Sequence, residues 1–159
     1  MSITNWFLNF LDKRGRKRIL LDRNGNEYMH RYYILFKEKQ NAFEEVKPYP
    51  NIFLHKIILS DSDDLHDHPW NYASVILKGG YWEYTPRFNS NGEKEFELAR
   101  WCKPGDILIR RAKQYHRLEL EQPMWSLFIH GFRFREWGFL VKNKWIDRKT
   151  YIEEKNKYT

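Results

Sequence analysis

The chain has 159 residues, a formal net charge of +7 and an aromatic content of 18%. This length fits one domain with a buried core, and the single cysteine excludes an internal disulfide framework and fits a reducing, cytoplasmic setting. No segment approaches the roughly 20 apolar residues that span a bilayer, so no membrane partner is expected.

The chain begins with an amphipathic pattern that predicts a short helix over residues 3–12. Its apolar positions are Ile3, Trp6, Phe7, Phe10 and Leu11. Packing on the outside of a domain is favoured, with a membrane surface or another protein as the alternative. The basic run at 13–18 could neutralise phosphates, but such runs are more often solvated surface, so nucleic acid is not expected as a partner.

From residue 19 onward, strand-like segments alternate with turns in the manner of an all-β domain. Asn24-Gly25 is a strong hairpin signal between the segments 19–21 and 28–36. Short strands at this spacing predict a sandwich or a barrel. The further strand-like segments are 51–60, 72–78, 81–85, 96–102, 107–111, 115–120, 124–132 and 134–141.

No internal repeat, linker or low-complexity tract divides the chain. Asp147 opens a run of good helix formers, which predicts a helix near the C-terminus. The expected organisation is an N-terminal helix and basic run at 1–18, a β-barrel domain at 19–146, and a C-terminal helix and tail at 147–159.

Three histidines are the main candidates for chemistry. His66 and His68 stand at i and i+2, so on an extended backbone both imidazoles point to the same face. His116 follows the Pro104-Gly105-Asp106 turn, and its position relative to Leu118 directs it inward. Neutral imidazoles are good ligands for transition metals, so the three predict a metal site. The alternative is that one histidine of the pair caps a turn and the other packs against Trp70, while His116 is a hydrogen-bonded core histidine.

Further candidates lie on neighbouring segments. His55 and His130 are each in phase with inward apolar residues, so His55 is a candidate fourth ligand, with a hydrogen-bonded core histidine as the alternative. No acid occurs at positions 69–73, directly after the histidine pair, and Glu83 is the nearest later acid on a strand. Tyr72, Glu83 and His130 are the candidate catalytic residues.

This pattern resembles the cupin superfamily, whose members are small jelly-roll barrels. The first cupin motif is a glycine, a gap, His-x-His, a glutamate and a glycine, and it is matched by His66, His68 and Gly80. Ser60 replaces the first glycine, and Tyr72 or Ala73 stands where the glutamate is expected. In the second motif the matching residues are Gly105 and His116, while Arg111, Lys113 and Leu120 replace its proline, second glycine and asparagine.

The resemblance covers roughly residues 53–132 and implies an all-β fold, a single cupin barrel with short helices at both ends. Without the glutamate, the set of histidines is similar to the three-histidine site of thiol dioxygenases. Those enzymes use ferrous iron to add dioxygen to a small thiol. The resemblance therefore implies a divalent transition metal, Fe(II) first, and a dioxygenase-like enzyme acting on a small molecule. Cupins often pair through strands and terminal arms, so a homodimer is expected by analogy.

The alternative function is a non-catalytic cupin that binds a small anionic ligand such as a nucleotide or a sugar phosphate. Basic residues around the third histidine motivate it, with outward-facing strand residues as the alternative interpretation: Arg110, Arg111, Lys113 and Arg117. The two functions differ in whether ligand binding requires the metal.

Overall fold

A computed structural model describes residues 3–37, 49–61 and 64–156. Within these ranges the chain forms two helices and twelve strands, so the all-β prediction is confirmed. The first elements are α1 (Ile3–Lys13), β1 (Lys17–Leu21), β2 (Glu27–Tyr33), β3 (Asn51–Ile57), β4 (Leu65–His66), β5 (Tyr72–Lys78) and β6 (Tyr81–Phe88). The others are β7 (Lys94–Cys102), β8 (Ile107–Arg110), β9 (Arg117–Glu119), β10 (Met124–His130), β11 (Gly138–Val141), β12 (Lys144–Asp147) and α2 (Arg148–Asn156).

The strands form three antiparallel sheets. The largest has the order β1-β2-β3-β10-β5-β8, and two three-stranded sheets have the orders β12-β11-β4 and β7-β6-β9. Strands that are distant in sequence, such as β3 and β10, therefore lie side by side, as in a barrel with long crossovers. No helix among the described residues has the length and apolarity needed to cross a bilayer.

The interior of the large sheet is apolar at one end and polar at the other. Strand alternation directs one face inward, and in β3 every second residue from Asn51 to Ile57 is buried. The apolar end contains a packed cluster of Met29, Ile57, Ile76, Tyr81, Cys102, Leu108, Leu118 and Met124. The polar end buries His55, Ser74, Ser126 and His130. Buried polar side chains need partners, so their end of the barrel is where a site is expected.

The terminal helices agree with the predicted ones. Asp147 accepts hydrogen bonds from the backbone N–H groups of Lys149 and Thr150 at 3.0 and 3.1 Å, which is the N-cap that the sequence indicates for α2. The tail predicted after α2 begins at residue 157, outside the described residues. At the other end, α1 buries Leu11 but leaves Trp6 56% exposed, so only part of its apolar face packs on the domain.

The segment 134–141 differs from its prediction, because strand pairing begins only at Gly138. A Cβ atom at this glycine would lie 2.0 Å from the carbonyl oxygen of Ile146 in β12. The same glycine exchanges backbone and side-chain hydrogen bonds with Asp67, which follows β4. The absence of a side chain at position 138 therefore allows β11 to pair with β12 beside the histidine segment.

We expect Gly138→Ala to lower the free energy of unfolding by about 2 kcal/mol or more, because the added methyl group forces the backbone of β12 to move. Gly131→Ala is the matched control, since its nearest neighbour would be the Asn71 carbonyl oxygen at an ordinary 3.5 Å. Urea unfolding measures the free energy of unfolding of both variants. Equal losses in the two variants would contradict the close approach at Gly138.

Candidate metal centre

Three histidines from two parts of the chain meet at the polar end of the barrel. His66 in β4 and His116 before β9 are paired by reciprocal backbone hydrogen bonds of 2.9 and 3.0 Å. His68 is held separately, because its backbone N–H donates to the Ala112 carbonyl at 2.9 Å. One side-chain nitrogen from each histidine lies within 4.8 Å of the others. The predicted histidines are therefore brought together in space.

The donor set fits a divalent transition metal. The Nε2 atoms of His68 and His116 are 2.9 Å apart. Two nitrogens that each lie 2.0–2.1 Å from one ion, at right angles, would be about 3.0 Å apart. Neutral imidazoles suit Fe, Zn, Cu and Ni, and three of them leave coordination positions open for a substrate. Metal ligation by these residues follows as a proposal below.

Glu83 determines the orientation of His116. The Nδ1–H of His116 donates to Glu83 Oε1 at 3.0 Å, because an ionised carboxylate can only accept. The same carboxylate pairs with both Nε and Nη2 of Arg110. Burial alone would raise the pKa of Glu83, but the hydrogen bonds from His116 and Arg110 outweigh it and lower the pKa to about 2. Nε2 of His116 is thereby left as the nitrogen that faces the other histidines.

Asp67, between the two histidines, is a buried anchor that the sequence reasoning missed. It is 1% exposed and accepts hydrogen bonds from Arg135 Nη1 at 2.6 Å, Gly138 N at 2.7 Å and Trp145 Nε1 at 3.1 Å. Because it alternates with the two histidines, its side chain points to the opposite side and ties the histidine segment to Gly138 in β11 and Trp145 in β12. The sequence shows only an acidic residue between two histidines, and the spacing does not identify the partners of its carboxylate.

The other ligand candidates are held neutral by their surroundings. Burial lowers the pKa of His66 to about 4, although Asp61 at 3.8 Å opposes this shift. Burial, and then the neighbouring His116 and His66, lower the pKa of His68 well below its usual value. A neutral ring keeps a lone pair on one nitrogen, so both residues can act as metal ligands near pH 7.

Tyr72 lies beside the histidine nitrogens and lines the adjoining cavity. Its hydroxyl is 3.2 Å from Nε2 of His116. Burial raises the pKa of Tyr72 well above its ordinary value, and the charge on Glu83 acts in the same direction. The phenol therefore keeps its proton at neutral pH and presents it at the edge of the site.

The remaining candidates have different positions. His55 is outside the group of three, and its Nε2 accepts a hydrogen bond from Arg31 Nε at 3.2 Å. The His130 ring stacks on Trp70 at 4.1 Å and donates from Nδ1 to the Gly131 carbonyl. His55 lines the cavity, whereas His130 and Glu83 do not. A fourth-ligand role for His55 and catalytic roles for Glu83 and His130 stay predictions, which these positions do not favour.

The three histidines open into a cavity of about 560 Å³. Its aromatic wall consists of Tyr28, Trp70, Tyr72, Tyr81, Phe128 and Trp137. Its cationic side chains are Arg18, Arg31, Arg133, Arg148 and Lys149. The basic residues expected around the third histidine do not line it, because Arg110 pairs with Glu83 and Arg117 pairs with Glu97. The cationic side chains of the cavity instead come from β1, β2, the segment after β10 and the start of α2.

Comparison with known proteins identifies the fold. No protein-family model and no curated protein matches the sequence. A cupin-2 domain from Rhodospirillum rubrum is similar in structure, with a TM-score of 0.52 and 9% sequence identity. The match covers 88% of this chain and 80% of that chain.

Two iron proteins are also similar in structure. HppE, solved with Fe(II) and the alternative substrate (S)-1-HPP, is 10% identical over 73% of this chain, with a TM-score of 0.50. HEPD of Streptomyces albus, solved with 2-hydroxyethylphosphonate and Fe(II), is 12% identical over 74%, also at 0.50. The match spans 56% of the HppE chain and 24% of the HEPD chain. At these identities the likeness concerns the fold, and the predicted cupin barrel is confirmed.

The lowered histidine pKa values predict acid sensitivity of the metal-free protein. The unfolded chain takes up a proton at His66 near pH 6.5 and the folded chain only near pH 4, so the stabilisation is complete above 6.5 and is lost as the pH falls towards 4. His66 alone accounts for about 3 kcal/mol at most, and His55 and His68 act in the same direction.

Urea unfolding in chelator at pH ~7 and pH ~5 measures this loss. Glu83, with its pKa near 2, does not contribute in this range. His66→Gln is the control, because glutamine does not titrate and the loss should be smaller. An equal loss in both proteins would show that His66 is not the source.

Proposed function

We propose that the protein is a metal-dependent enzyme of the non-haem Fe(II) dioxygenase type that acts on a small molecule. The observation that carries this proposal is the convergence of three imidazoles, from His66, His68 and His116, on the wall of a cavity. The volume of about 560 Å³ lies within the range of small-molecule sites. HppE and HEPD, which share the fold, were solved with Fe(II), and this supports iron as the first metal to test.

His66, His68 and His116 would hold the metal. When bound, a ferrous ion supplies Lewis acidity and the one-electron chemistry that a reaction with dioxygen requires. A set of three neutral ligands leaves the positive charge of the ion uncompensated by protein carboxylates. An anionic or chelating substrate would therefore be attracted to the same position.

The surrounding residues hold these ligands in place. Glu83 keeps a proton on Nδ1 of His116, so that Nε2 is the donor atom. Glu83 is only 2% exposed in the barrel wall. Its ion pair with Arg110 keeps the carboxylate ionised there. Asp67 anchors the segment that carries His66 and His68. Preorganised ligands of this kind lower the cost of ordering the site when the metal binds.

Tyr72 is the residue best placed to hold a proton for the reaction. Its hydroxyl lies next to the ligand nitrogens and stays protonated at neutral pH. It can donate a hydrogen bond to an oxygen atom of a substrate in the cavity. The neighbouring ring of Phe128 is stacked on the Tyr72 ring, with the ring centres 4.7 Å apart.

The first test is metal content. Protein purified without an affinity tag and loaded with Fe(II) under anaerobic conditions should hold about one equivalent by mass spectrometry, and His116→Ala should hold almost none. Glu83→Gln should retain the fold and bind metal about 10–100-fold more weakly, because the orienting hydrogen bond is weakened. His30→Ala is the control, since His30 pairs with Glu27 and does not line the cavity.

Less than ~0.2 equivalents of any transition metal in the loaded wild-type protein would contradict the proposal. An oxygen electrode then tests the chemistry with small thiols, organic acids and phosphonates. Metal binding without oxygen uptake, together with ligand binding that persists in chelator, would favour the non-catalytic binding module instead.

A further inference from the structure

A row of polar side chains crosses the inner face of the large sheet next to the metal centre. Arg18 in β1 lies directly opposite Arg31 in β2, Arg31 lies opposite His55 in β3, and His55 lies opposite Ser126 in β10. All four residues line the cavity. We call this set the arginine row. Its members come from segments that show no shared motif in the sequence.

The arginine row places two arginines at directly opposite positions of neighbouring strands. Like charges at such positions destabilise a sheet. The effect is stronger where the residues are partly withdrawn from water, and both Arg18 and Arg31 are only partly exposed. Among the residues that the structure describes, no ion pair includes Arg18. An anion bound in the cavity would supply Arg18 with a counter-charge.

Arg31 is held in a defined orientation. Its Nε donates to His55 Nε2 at 3.2 Å, and its guanidinium carbon lies 4.6 Å from the centre of the Phe53 ring. His55 is in turn packed against Phe53 and Phe128. A guanidinium fixed on one edge and one face loses little entropy when it binds a ligand. The fixed orientation of Arg31 therefore suits the binding of a ligand in the cavity.

The row also lies close to the metal centre. The ring of Phe128 is 5.1 Å from the ring of His55 and 6.4 Å from the ring of His68. A single aromatic side chain thus spans the distance between the arginine row and the three histidines. A ligand held by the arginines could place its other end at the histidine nitrogens only if it is small.

We propose that Arg18 and Arg31 bind a phosphate- or phosphonate-type group of the molecule that occupies this cavity. Two guanidinium groups match a tetrahedral dianion, which offers three oxygens and nearly two negative charges. A carboxylate offers two oxygens and one charge. Ser126 adds a hydroxyl that can donate to the same group. The inference extends the proposed function, because it assigns the substrate class of the same cavity.

Phosphate binding to the metal-free protein tests the arginine row independently of the metal. Isothermal titration of inorganic phosphate in chelator should show binding that Arg18→Met and Arg31→Met each weaken by about 10-fold or more. Arg87→Met removes the same charge from an exposed position in β6 and should bind phosphate like the wild type. An equal loss in all three variants would reduce the effect to net charge and overturn the proposal.

Two further ligands define the chemistry. Methylphosphonate should bind like phosphate, and acetate should bind much more weakly. Acetate binding as tight as phosphate binding would overturn the assignment of a dianion. Phosphate should also raise the melting temperature of the wild type and not that of Arg18→Met, whose melting temperature without phosphate should be at least as high as that of the wild type.

Conservative variants cover the case in which a methionine variant does not fold. Arg18→Lys and Arg31→Lys keep the charge but lose the planar fork, so they should fold and still bind phosphate more weakly. Wild-type affinity in both would overturn the proposal. The metal measurement separates the two proposals. Phosphate binding without metal binding would contradict the metal-dependent enzyme and support the anion site. Metal binding without phosphate binding would contradict the anion site and leave the enzyme proposal standing.

Discussion

The backbone pairing of His66 with His116 is the constraint on which the candidate site depends. β4 and β9 are the shortest strands of the barrel, and the bridge between them is an isolated one. It nevertheless fixes the separation of two imidazoles from distant parts of the chain, and strand alternation then directs His68 to the same side. Asp67 stabilises this segment on the side away from the imidazoles. Its carboxylate accepts hydrogen bonds from the backbone of Gly138 in β11 and from the side chains of Arg135 and Trp145.

Two buried carboxylates support the candidate site. Glu83 and Asp67 are both almost fully buried, and each is paired with an arginine, Arg110 and Arg135 respectively. Burying an unpaired carboxylate would be costly, so these pairs allow negative charge to stand behind the histidines without entering the cavity. The cavity wall formed by the arginine row carries the opposite sign.

Much of the fold could be predicted from local patterns. The turn at Asn24-Gly25, the alternation of β3 and the cap at Asp147 are local signals, and each corresponds to an observed element. The convergence of His66, His68 and His116 was also anticipated, because residue parity predicts which way a side chain faces on an extended backbone. The short strands β4 and β12 were missed, since two to four residues carry too little periodicity.

The sequence by itself determined the residue types, their inward or outward phase and the all-β class, because all three follow from period-two alternation and turn chemistry. The tertiary structure alone decided which inward residues are neighbours. Arg18 faces Arg31, and Glu83 reaches His116, only because of strand order and register. Strand order and register are set by packing between distant segments and leave no mark in the local sequence. That is why the candidate metal ligands could be named in advance, while the orienting role of Glu83 and the arginine row beside the site could not.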